Sequence, residues 1–399
     1  MPDVVVVGGG PVGACAATLL AQAGLSVTLL EPQPVAAPEA GAATDSRVVA
    51  LSRASERILR SAGAWPGLAG SRVAAYERMR VWHERVAPFS EGALLFDAAD
   101  AGEPNLGYIL ESRLLQWALL DAFRRAGGRL EPLAFAGLER GADALTVRTS
   151  GPPLTARLLL GADGARSAVR EAAGLPAEVS AYRQRALVAN VATARAHELT
   201  AWQRFLRDGT LAFLPLADGH SSIVWSVDEP RARQLLALSE GEFAAALDAA
   251  SDLALGNITL VSERRDFELL RLHAPHYVSE RIALLGDAAH VVHPLAGQGV
   301  NLGLLDAAAL AEGVAQAVRR REDPGSLGVL RGYERWRKSE VALMAGAIEA
   351  FDRLLAHGTG PVARLAQGGL ALVNRHEELR RLFIRRALGV TGELPRAAR

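Results

Sequence analysis

The sequence predicts an α/β fold in which a Rossmann-like domain is assembled from discontinuous segments, with an inserted mixed β-sheet domain and C-terminal helices. Strand, glycine loop and helix follow one another three times, in residues 4–23, 158–170 and 281–318. Between these patterns lie short runs typical of strands, and from residue 326 onward the pattern is helical to the end. With 399 residues, of which 50% are apolar, the chain is long enough for more than one core.

The first pattern begins with four valines at residues 4–7 and enters Gly8-x-Gly10-x-x-Gly13. A predicted helix and a second predicted strand follow, and Glu31 ends that strand 23 residues after Gly8. In dinucleotide-binding folds the glycines allow the tight turn, the approach of the pyrophosphate and the helix–strand contact, and an acid at this distance binds the ribose. An acid there favours a free 2′-hydroxyl, so the pattern predicts FAD or NAD rather than NADP.

Two further glycine loops each follow an apolar run. The middle loop contains Gly161-Ala162-Asp163-Gly164, and by itself it is explained by a turn followed by a Ser-capped helix. The late loop contains Gly286-Asp287, and Gly297-Gln298-Gly299-Val300-Asn301 leads into a predicted helix at 302–318. A carboxylate at such a turn can accept hydrogen bonds from ligand hydroxyls, and glycines near a helix start let the backbone approach a flat or anionic group.

Together the three loops resemble those of the FAD-dependent aromatic hydroxylases, the single-component flavin monooxygenases related to para-hydroxybenzoate hydroxylase. Further segments are similar to the ubiquinone-biosynthesis hydroxylases of the UbiH/UbiI/UbiF group, and these are 45–55, 63–65, 76–82, 290–299, 333–338 and 372–375. The similarity covers nearly the whole chain. One departure is Asp266-Phe267-Glu268-Leu269, where relatives commonly have Phe-Pro-Leu.

The resemblance implies that the three loops bind FAD. The expected cofactor-binding residues are Gly8, Gly10, Gly13, Glu31, Arg47, Arg113, Asp163, Gly286, Asp287, Gly297, Gln298, Gly299 and Asn301. His293, Pro294 and Gly297 are expected on a loop that faces the flavin, and of these His293 is the candidate to reach the substrate. His290 is interpreted as a structural hydrogen-bonding residue beside that loop. No acid–base pair is required, because the cofactor carries the redox chemistry.

A substrate pocket is expected on the sheet over the flavin, lined by Phe213, Pro215 and Trp225, although packing in a core explains these residues equally well. The predicted FAD-binding domain comprises 1–75, 106–178 and 272–330. The predicted substrate domain comprises 76–105 and 179–271, and the predicted C-terminal helical region comprises 331–399.

The resemblance further implies a hydroxylase that uses NAD(P)H and O₂ to act on a polyprenyl phenol on the route to ubiquinone. NAD(P)H would bind transiently as electron donor, because the chain has no second Gly-x-Gly-x-x-Gly domain. Three alternatives remain: a hydroxylase of small soluble phenols or polyketides, a flavin halogenase, and a non-catalytic FAD-stabilised scaffold. The only lysine, Lys338, lies in the late helical region, which argues against the halogenase.

Composition restricts the other partners. Lys plus Arg and Asp plus Glu number 44 each, so no global charge favours nucleic acid. The single cysteine, Cys15, excludes an intrachain disulfide and fits a reducing cytoplasm. With one cysteine and no His-x-x-x-His or Cys-x-x-Cys pattern, no metal site is predicted.

The last residues are rich in arginine. Residues 374–399 contain seven Arg and three Glu, and Leu379, Leu382, Phe383 and Leu388 fall near helical spacing. This pattern predicts either a basic amphipathic helix that contacts a membrane or other ubiquinone-biosynthesis proteins, or an ordinary terminal helix. The expected location is therefore cytoplasmic, peripheral on the inner membrane face if the helix binds lipid.

Overall fold

The structure, a computed structural model, describes residues 1–39, 41–68, 72–293, 297–355, 378, 381, 384–386 and 388–399, with backbone alone for 347–355. The strands are β1 Val4–Val7, β2 Val27–Leu30, β3 Val48–Leu51, β4 Ala74–Tyr76, β5 Arg78–His83, β6 Leu94–Asp97, β7 Gly107–Glu111, β8 Arg129–Glu131, β9 Phe135–Arg140, β10 Leu145–Thr149, β11 Leu154–Ala156, β12 Leu158–Gly161, β13 Glu178–Thr193, β14 Thr200–Leu206, β15 Gly209–Pro215, β16 Ser221–Asp228, β17 Ile258–Leu260, β18 Arg265–His273, β19 Val278–Ser279, β20 Ile282–Leu284 and β21 His290–Val291. The α-helices are α1 Pro11–Gln22, α2 Arg53–Ser61, α3 Trp65–Leu68, α4 Ser112–Arg125, α5 Ala168–Ala172, α6 Glu229–Ala237, α7 Glu240–Ser251, α8 Gln298–Arg319 and α9 Leu327–Leu355.

A six-stranded sheet has the order β19-β20-β12-β1-β2-β8 and is parallel except for β19. All four valines of β1 are buried, as expected for a β-branched run in a parallel sheet covered on both faces. Helix α1 begins at Pro11, which suits the first helical turn because its missing N–H needs no partner there. This sheet forms the Rossmann-like part of the fold.

A second, nine-stranded sheet has the order β21-β18-β13-β16-β15-β14-β5-β6, with β17 also paired to β13. One face packs on α6 and α7, where Phe243 and Leu247 are completely buried. Helices α6 and α7 are separate elements, because Ser239 and Glu242 form a capping box that starts the second one.

The predicted α/β class is confirmed, with two smaller three-stranded sheets, β3-β7-β4 and β11-β10-β9, beside the large ones. The six-stranded sheet gathers strands from residues 4–30, 129–161 and 278–284, whereas the nine-stranded sheet gathers strands from 78–97, 178–273 and 290–291. The domain bounds given above stay a prediction.

The C-terminal end differs from the expectation of helix to the last residue, which is wrong for 388–399. This segment consists of turns, irregular backbone and a short 3₁₀ helix, Arg396–Ala398. Ile384 and Leu388 are buried against Ala98 and Leu106, so Leu388 contributes to a protein core instead of an outer apolar face. Leu379, Leu382 and Phe383 lie outside the described residues. Among the helices that the structure describes, none is long and apolar enough to cross a bilayer.

Candidate active site

The three glycine loops converge on one edge of the six-stranded sheet. Strands β1, β12 and β20 are parallel neighbours, so the loops at their carboxyl ends lie side by side. A Cβ atom on Gly8 would lie 2.4 Å from the carbonyl oxygen of Ala162, and one on Gly286 would lie 3.2 Å from the Val12 side chain. The sequence therefore folds into the arrangement in which doubly wound sheets bind dinucleotides.

The glycines of the first loop are required for different reasons. Gly8 has φ +100°, and a Cβ on Gly13 would lie 2.0 Å from the carbonyl oxygen of Gly8, so both positions are closed to side chains by the protein itself. A Cβ on Gly10 would meet no protein atom within 4 Å. Helix α1 starts there without a side-chain cap and without an acidic residue in its first turn. An open backbone at an uncapped helix N-terminus fits a pyrophosphate.

Glu31 and Gln116 hold this loop from opposite sides. The Gly9 N–H donates to Glu31 Oε2 at 2.8 Å, and Gln116 Nε2 donates to the Gly9 carbonyl oxygen at 2.9 Å. Glu31 follows β2, the neighbour of β1, as predicted. Its carboxylate orients the loop, and the predicted ribose contact stays a prediction.

The middle loop forms the turn and the Ser-capped helix expected from its sequence, and it also contacts the late loop. Ser167 caps α5, while Asp163 accepts hydrogen bonds from Ser167 Oγ at 2.5 Å and from the Val169 N–H at 3.1 Å. Arg170 donates to the Ala165 carbonyl oxygen at 2.8 Å and to that of Ala288 at 2.9 Å, which joins the middle loop to the late loop. The guanidinium thus fixes the spacing of two of the three loops.

Asp287 lies at the turn after β20 and is exposed to solvent. Desolvation by the surrounding protein raises its pKa, and the charges of His290 and Arg47 oppose that rise. Asp287 is accessible to solvent but has protein around its carboxyl, so it lies in a concave part of the protein surface. This is the position from which it could accept ligand hydroxyls.

Beneath this turn a buried carboxylate organises the backbone. Asp306 of α8 is completely buried; its Oδ2 lies 2.6 Å from His290 Nε2 and accepts from the Gly286 N–H at 3.1 Å. Its Oδ1 accepts from Arg337 Nε at 2.8 Å. Burial alone would raise the pKa of Asp306, but the charges and hydrogen bonds of His290 and Arg337 outweigh burial and hold the pKa below its ordinary value. His290 has the structural role expected of it.

The Tyr-Glu-Arg-Trp-Arg-Lys segment of α9, residues 333–338, forms hydrogen bonds with β20 and with the residues before β19. The Tyr333 hydroxyl donates to the Leu284 carbonyl oxygen at 2.8 Å, and Glu334 accepts from the Tyr277 N–H at 2.7 Å. Lys338 donates to a carbonyl oxygen of the segment before β19. Residues 333–338, which are similar to the ubiquinone-biosynthesis hydroxylases, therefore support the late loop from the layer beneath the site.

The start of α8 is fixed by Asn301, which is 3% exposed. Its Oδ1 accepts from the Ser52 N–H at 2.9 Å and from Ser55 Oγ at 2.6 Å. Its Nδ2 donates to the carbonyl oxygens of Ala50 at 2.9 Å and Gly297 at 3.1 Å. Since the side-chain amide is occupied by protein partners, it holds the loop in place, and the expected contact with a ligand stays a prediction.

The remaining residues of the late loop lie close by. Gly297 has φ +63° and starts α8 without a side-chain cap. Apart from its neighbours in α8, none of the described residues would lie within 4 Å of a Cβ on Gly299. Gln298 is half-buried in the first turn. His293 is buried, 3.3 Å from Gln184 Oε1. Pro294 lies outside the described residues.

The two predicted arginines are both exposed. Arg47 lies with its guanidinium 5.7 Å from the ring centroid of Phe267, on the nine-stranded sheet, and close enough to Asp287 to affect its pKa. Arg113 stands in the first turn of α4, directly after β7. Their contacts with a cofactor stay predictions.

The residues expected to line the substrate pocket do not face the loops. Phe213 and Trp225 belong to the core between the nine-stranded sheet and α6 and α7. Pro215 has the same parity along β15 as Phe213, so it belongs to the same face. The structure thus supports core packing for all three.

The opposite face of the sheet turns toward the loops. Asn190 donates to the Thr44 carbonyl oxygen at 2.8 Å, and Leu214 packs with Ala50. On this loop-facing side Ala212, Leu214 and Val224 are only half-buried, although their neighbours in the strands are buried. Because side chains along a strand alternate between the two faces of a sheet, the sequence predicts two sets of residues. The sequence alone does not show which set faces the glycine loops.

Comparisons with known proteins agree with this geometry. The model of the family described as FAD binding domain matches residues 1–343. The chain is 37% identical over 392 residues to the ubiquinone hydroxylase UbiL of Rhodospirillum rubrum, covering 97% of this chain and 89% of that protein. It is 34% identical to the 3-demethoxyubiquinol 3-hydroxylase of Escherichia coli, covering 97% and 98%. The crystal structure of p-nitrophenol 4-monooxygenase PnpA from Pseudomonas putida matches with a TM-score of 0.73 at 22% identity, covering 97% and 98%, which shows a shared fold.

The first prediction separates the two kinds of glycine. Gly10→Val should leave the fold intact and weaken FAD binding, because its side chain enters space that no protein atom fills. Gly13→Val should destabilise the protein itself, because its Cβ would collide with the Gly8 carbonyl. Thermal unfolding of the apoprotein and FAD titration should distinguish them. Normal FAD affinity in Gly10→Val would place the pyrophosphate elsewhere.

The second prediction concerns Asp306. Asp306→Asn leaves the buried charge of Arg337 unpaired and should cost about 3–5 kcal/mol in the free energy of unfolding. Because the folded pKa of Asp306 is depressed, its contribution is present above the unfolded pKa of about 3.9 and is lost as pH falls below it. Urea unfolding of the apoprotein should therefore show the full loss at pH 5–7 and a smaller loss near pH 3.

The control for Asp306 is Asp121→Asn, which removes an exposed ion pair with Arg125 and should cost about 1 kcal/mol or less. Equal losses in the two variants would contradict the role assigned to Asp306.

Proposed function

The chain belongs to the FAD binding domain family and is an FAD-dependent monooxygenase, and on that premise we propose that it hydroxylates the ring of a polyprenyl phenol in ubiquinone biosynthesis. The observation that carries the proposal is the absence of charge at the central loop-facing positions of β13, β15 and β16, where Ala212, Leu214 and Val224 are half-buried. FAD, when bound, supplies the redox and oxygen-transfer chemistry. The residues of this chain bind it, orient the substrate and exclude water.

The chemistry of the loop-facing row supports a neutral, lipophilic substrate. The central positions of β13, β15 and β16 on this side are Ala186, Val188, Ala212, Leu214, Ser222, Val224 and Ser226. Among these positions none carries a charge. A substrate carboxylate would lose its hydration there without gaining a cationic partner, which costs several kcal/mol. A phenol without a carboxylate, with an apolar chain, avoids that cost.

This observation weighs against any substrate that carries a carboxylate, and the relatives named for ubiquinone hydroxylation support a prenyl phenol over a small soluble phenol or polyketide. The charged side chains of the site stand at its edge, where Arg47 lies over Phe267 and Arg265 lies 3.9 Å from Asp45. An exposed edge of this kind suits transient contact with NAD(P)H, the electron donor typical of the family. We propose NAD(P)H as reductant and O₂ as the source of the added oxygen.

The proposal is tested with purified, FAD-loaded protein, NADPH, O₂ and a short-chain prenyl phenol, with the same molecule bearing a ring carboxylate as comparison. We expect a product heavier by one oxygen atom from the phenol, and little turnover of the carboxylated form. Mass spectrometry of the extracted products decides. Preferential turnover of the carboxylate would contradict the proposed substrate class, and flavin binding without any product would favour the scaffold alternative.

Adjacent positions of β15 provide a matched pair of variants. Leu214→Asp introduces a charge on the loop-facing side and should raise KM for the prenyl phenol about tenfold or more, because a half-buried apolar side chain is replaced by an unpaired charge. Phe213→Leu, in the core on the other face, should lower the free energy of unfolding with KM almost unchanged. If Phe213→Leu raises KM more than Leu214→Asp does, the substrate pocket would instead be lined by Phe213, Pro215 and Trp225.

A lipophilic substrate makes contact with a membrane useful, so we propose that the protein is peripheral on the inner membrane face, with its arginine-rich end toward the lipid or toward other proteins of the pathway. Arg385 is exposed, whereas Arg386 lies 3.7 Å from Glu340. Ile384 and Leu388 are buried in the protein. The described part of this end therefore supports attachment by charge more than by insertion.

Flotation with vesicles that contain anionic lipid tests this location. Attachment should fall as salt is added, and Arg385→Glu should weaken it, since each arginine near an anionic surface contributes about 1 kcal/mol. Arg124→Glu, an equal charge change at an exposed position of α4, serves as control. Absence of flotation at low salt, or equal loss in both variants, would contradict membrane attachment by this end.

A further inference from the structure

The last residues of the chain run along helix α2 from one end to the other. The Ala54 N–H, in the first turn of α2, donates to the Leu388 carbonyl oxygen at 3.2 Å. At the last residue of the helix, Ser61 Oγ donates to the Ala397 carbonyl oxygen at 3.2 Å. Ala398 is completely buried in the main core. The segment 388–399, here called the C-terminal strap, is thus an integral part of the layer that covers α2.

Further contacts tie the strap to the long helices. The Arg396 N–H donates to Glu312 Oε2 of α8 at 2.9 Å, and Trp336 Nε1 of α9 donates to the Glu393 carbonyl oxygen at 3.0 Å. Helix α2 contacts the strap, α8, α3 and the segment around Glu103 and Tyr108. A displacement of the strap would remove the support at the first turn and the last residue of α2.

The first turn of α2 is also the partner of Asn301. Ser52 and Ser55 both donate to Asn301 Oδ1, and the same amide donates to the Gly297 carbonyl oxygen at the start of α8. A continuous chain of contacts thus leads from Leu388 through Ala54, its neighbour Ser55 and Asn301 to the loop expected to face the flavin. Every step in it is a direct hydrogen bond or a bonded neighbour.

We propose that the C-terminal strap positions the late flavin loop through α2 and Asn301, and that Gly389 is the positioning residue of the strap. This inference rests on the proposed function, because it takes the 297–301 backbone to be part of the flavin site. The strap itself touches neither substrate nor cofactor. Its effect is to hold the first turn of α2 at the distance that the Asn301 amide requires.

The geometry of two glycines allows a matched test. Gly389 has φ +68°, and a Cβ there would lie 3.1 Å from Ala54 Cβ and 3.6 Å from Ser52 Oγ. Gly392 has φ +88°, and a Cβ there would meet only the flexible end of Glu340, at 3.4 Å. Both alanine variants carry the strain of a left-handed residue, so both should lower the melting temperature. Only Gly389→Ala pushes on the first turn of α2.

The experiment measures the FAD dissociation constant of the full-length apoprotein by flavin fluorescence, beside its thermal unfolding. Gly389→Ala should raise the dissociation constant about fivefold or more, a size typical of coupling through a packed network, while Gly392→Ala should stay within about twofold of the wild type. Equal dissociation constants for the two variants would overturn the proposal. If Gly389→Ala alone does not fold, Gly389→Ala with Ala54→Gly relieves the Cβ contact and should recover wild-type FAD affinity.

A double-mutant cycle with Asn301→Ala tests the route. If the strap acts through Asn301, the effect of Gly389→Ala on FAD affinity should shrink in the Asn301→Ala background, whereas independent effects would multiply. If the effects of Gly389→Ala and Asn301→Ala on FAD affinity multiply, the strap does not act through Asn301. Should Asn301→Ala itself leave FAD affinity unchanged, the proposed flavin site at this loop would be wrong, and the inference with it. Reduced affinity in Asn301→Ala with normal affinity in Gly389→Ala would overturn the inference alone.

Discussion

The burial of one charge, that of Asp306, fixes the backbone on which the site depends. A carboxylate removed from water is costly unless every partner stays in place, and here the partners come from the Gly286 backbone, His290 and Arg337. These groups belong to three different elements: the loop after β20, strand β21 and helix α9. None of them can shift without uncovering the charge. The loop that carries Asp287 is therefore held from below by electrostatics.

The second constraint is the alternation of the nine-stranded sheet. Since side chains of a strand point to opposite faces in turn, Phe213 and Leu214 are neighbours in sequence and belong to different environments. Helices α6 and α7 bury the row of Phe213 and Trp225. The row of Leu214 and Val224 is left half-buried toward the loops. On the proposed function, packing of the core and contact with the substrate thus belong to two interleaved sets of residues.

The sequence predicted those parts of the molecule that depend on local interactions. The valine strand, the glycine turns and the Ser167 cap each follow from a few adjacent residues. The contacts that sequence reasoning missed join distant positions: Gln116 reaches Gly9 across 107 residues, and Ser55 reaches Asn301 across 246. A lone aspartate in the apolar stretch of α8 was the one visible signal for Asp306. The faces of the nine-stranded sheet could not be assigned, because in β15 and β16 both rows consist largely of uncharged residues.

The site is therefore built mainly from backbone, with side chains behind it. Gly10 and Gly299 offer open main chain, and two uncapped helices, α1 and α8, begin there. The side chains that set this backbone, among them Gln116, Arg170, Asn301 and Asp306, form their hydrogen bonds with the protein. On the proposed function, the loop-facing row of the sheet could vary without disturbing this backbone. Such a separation is one physical way in which a single fold can serve different substrates.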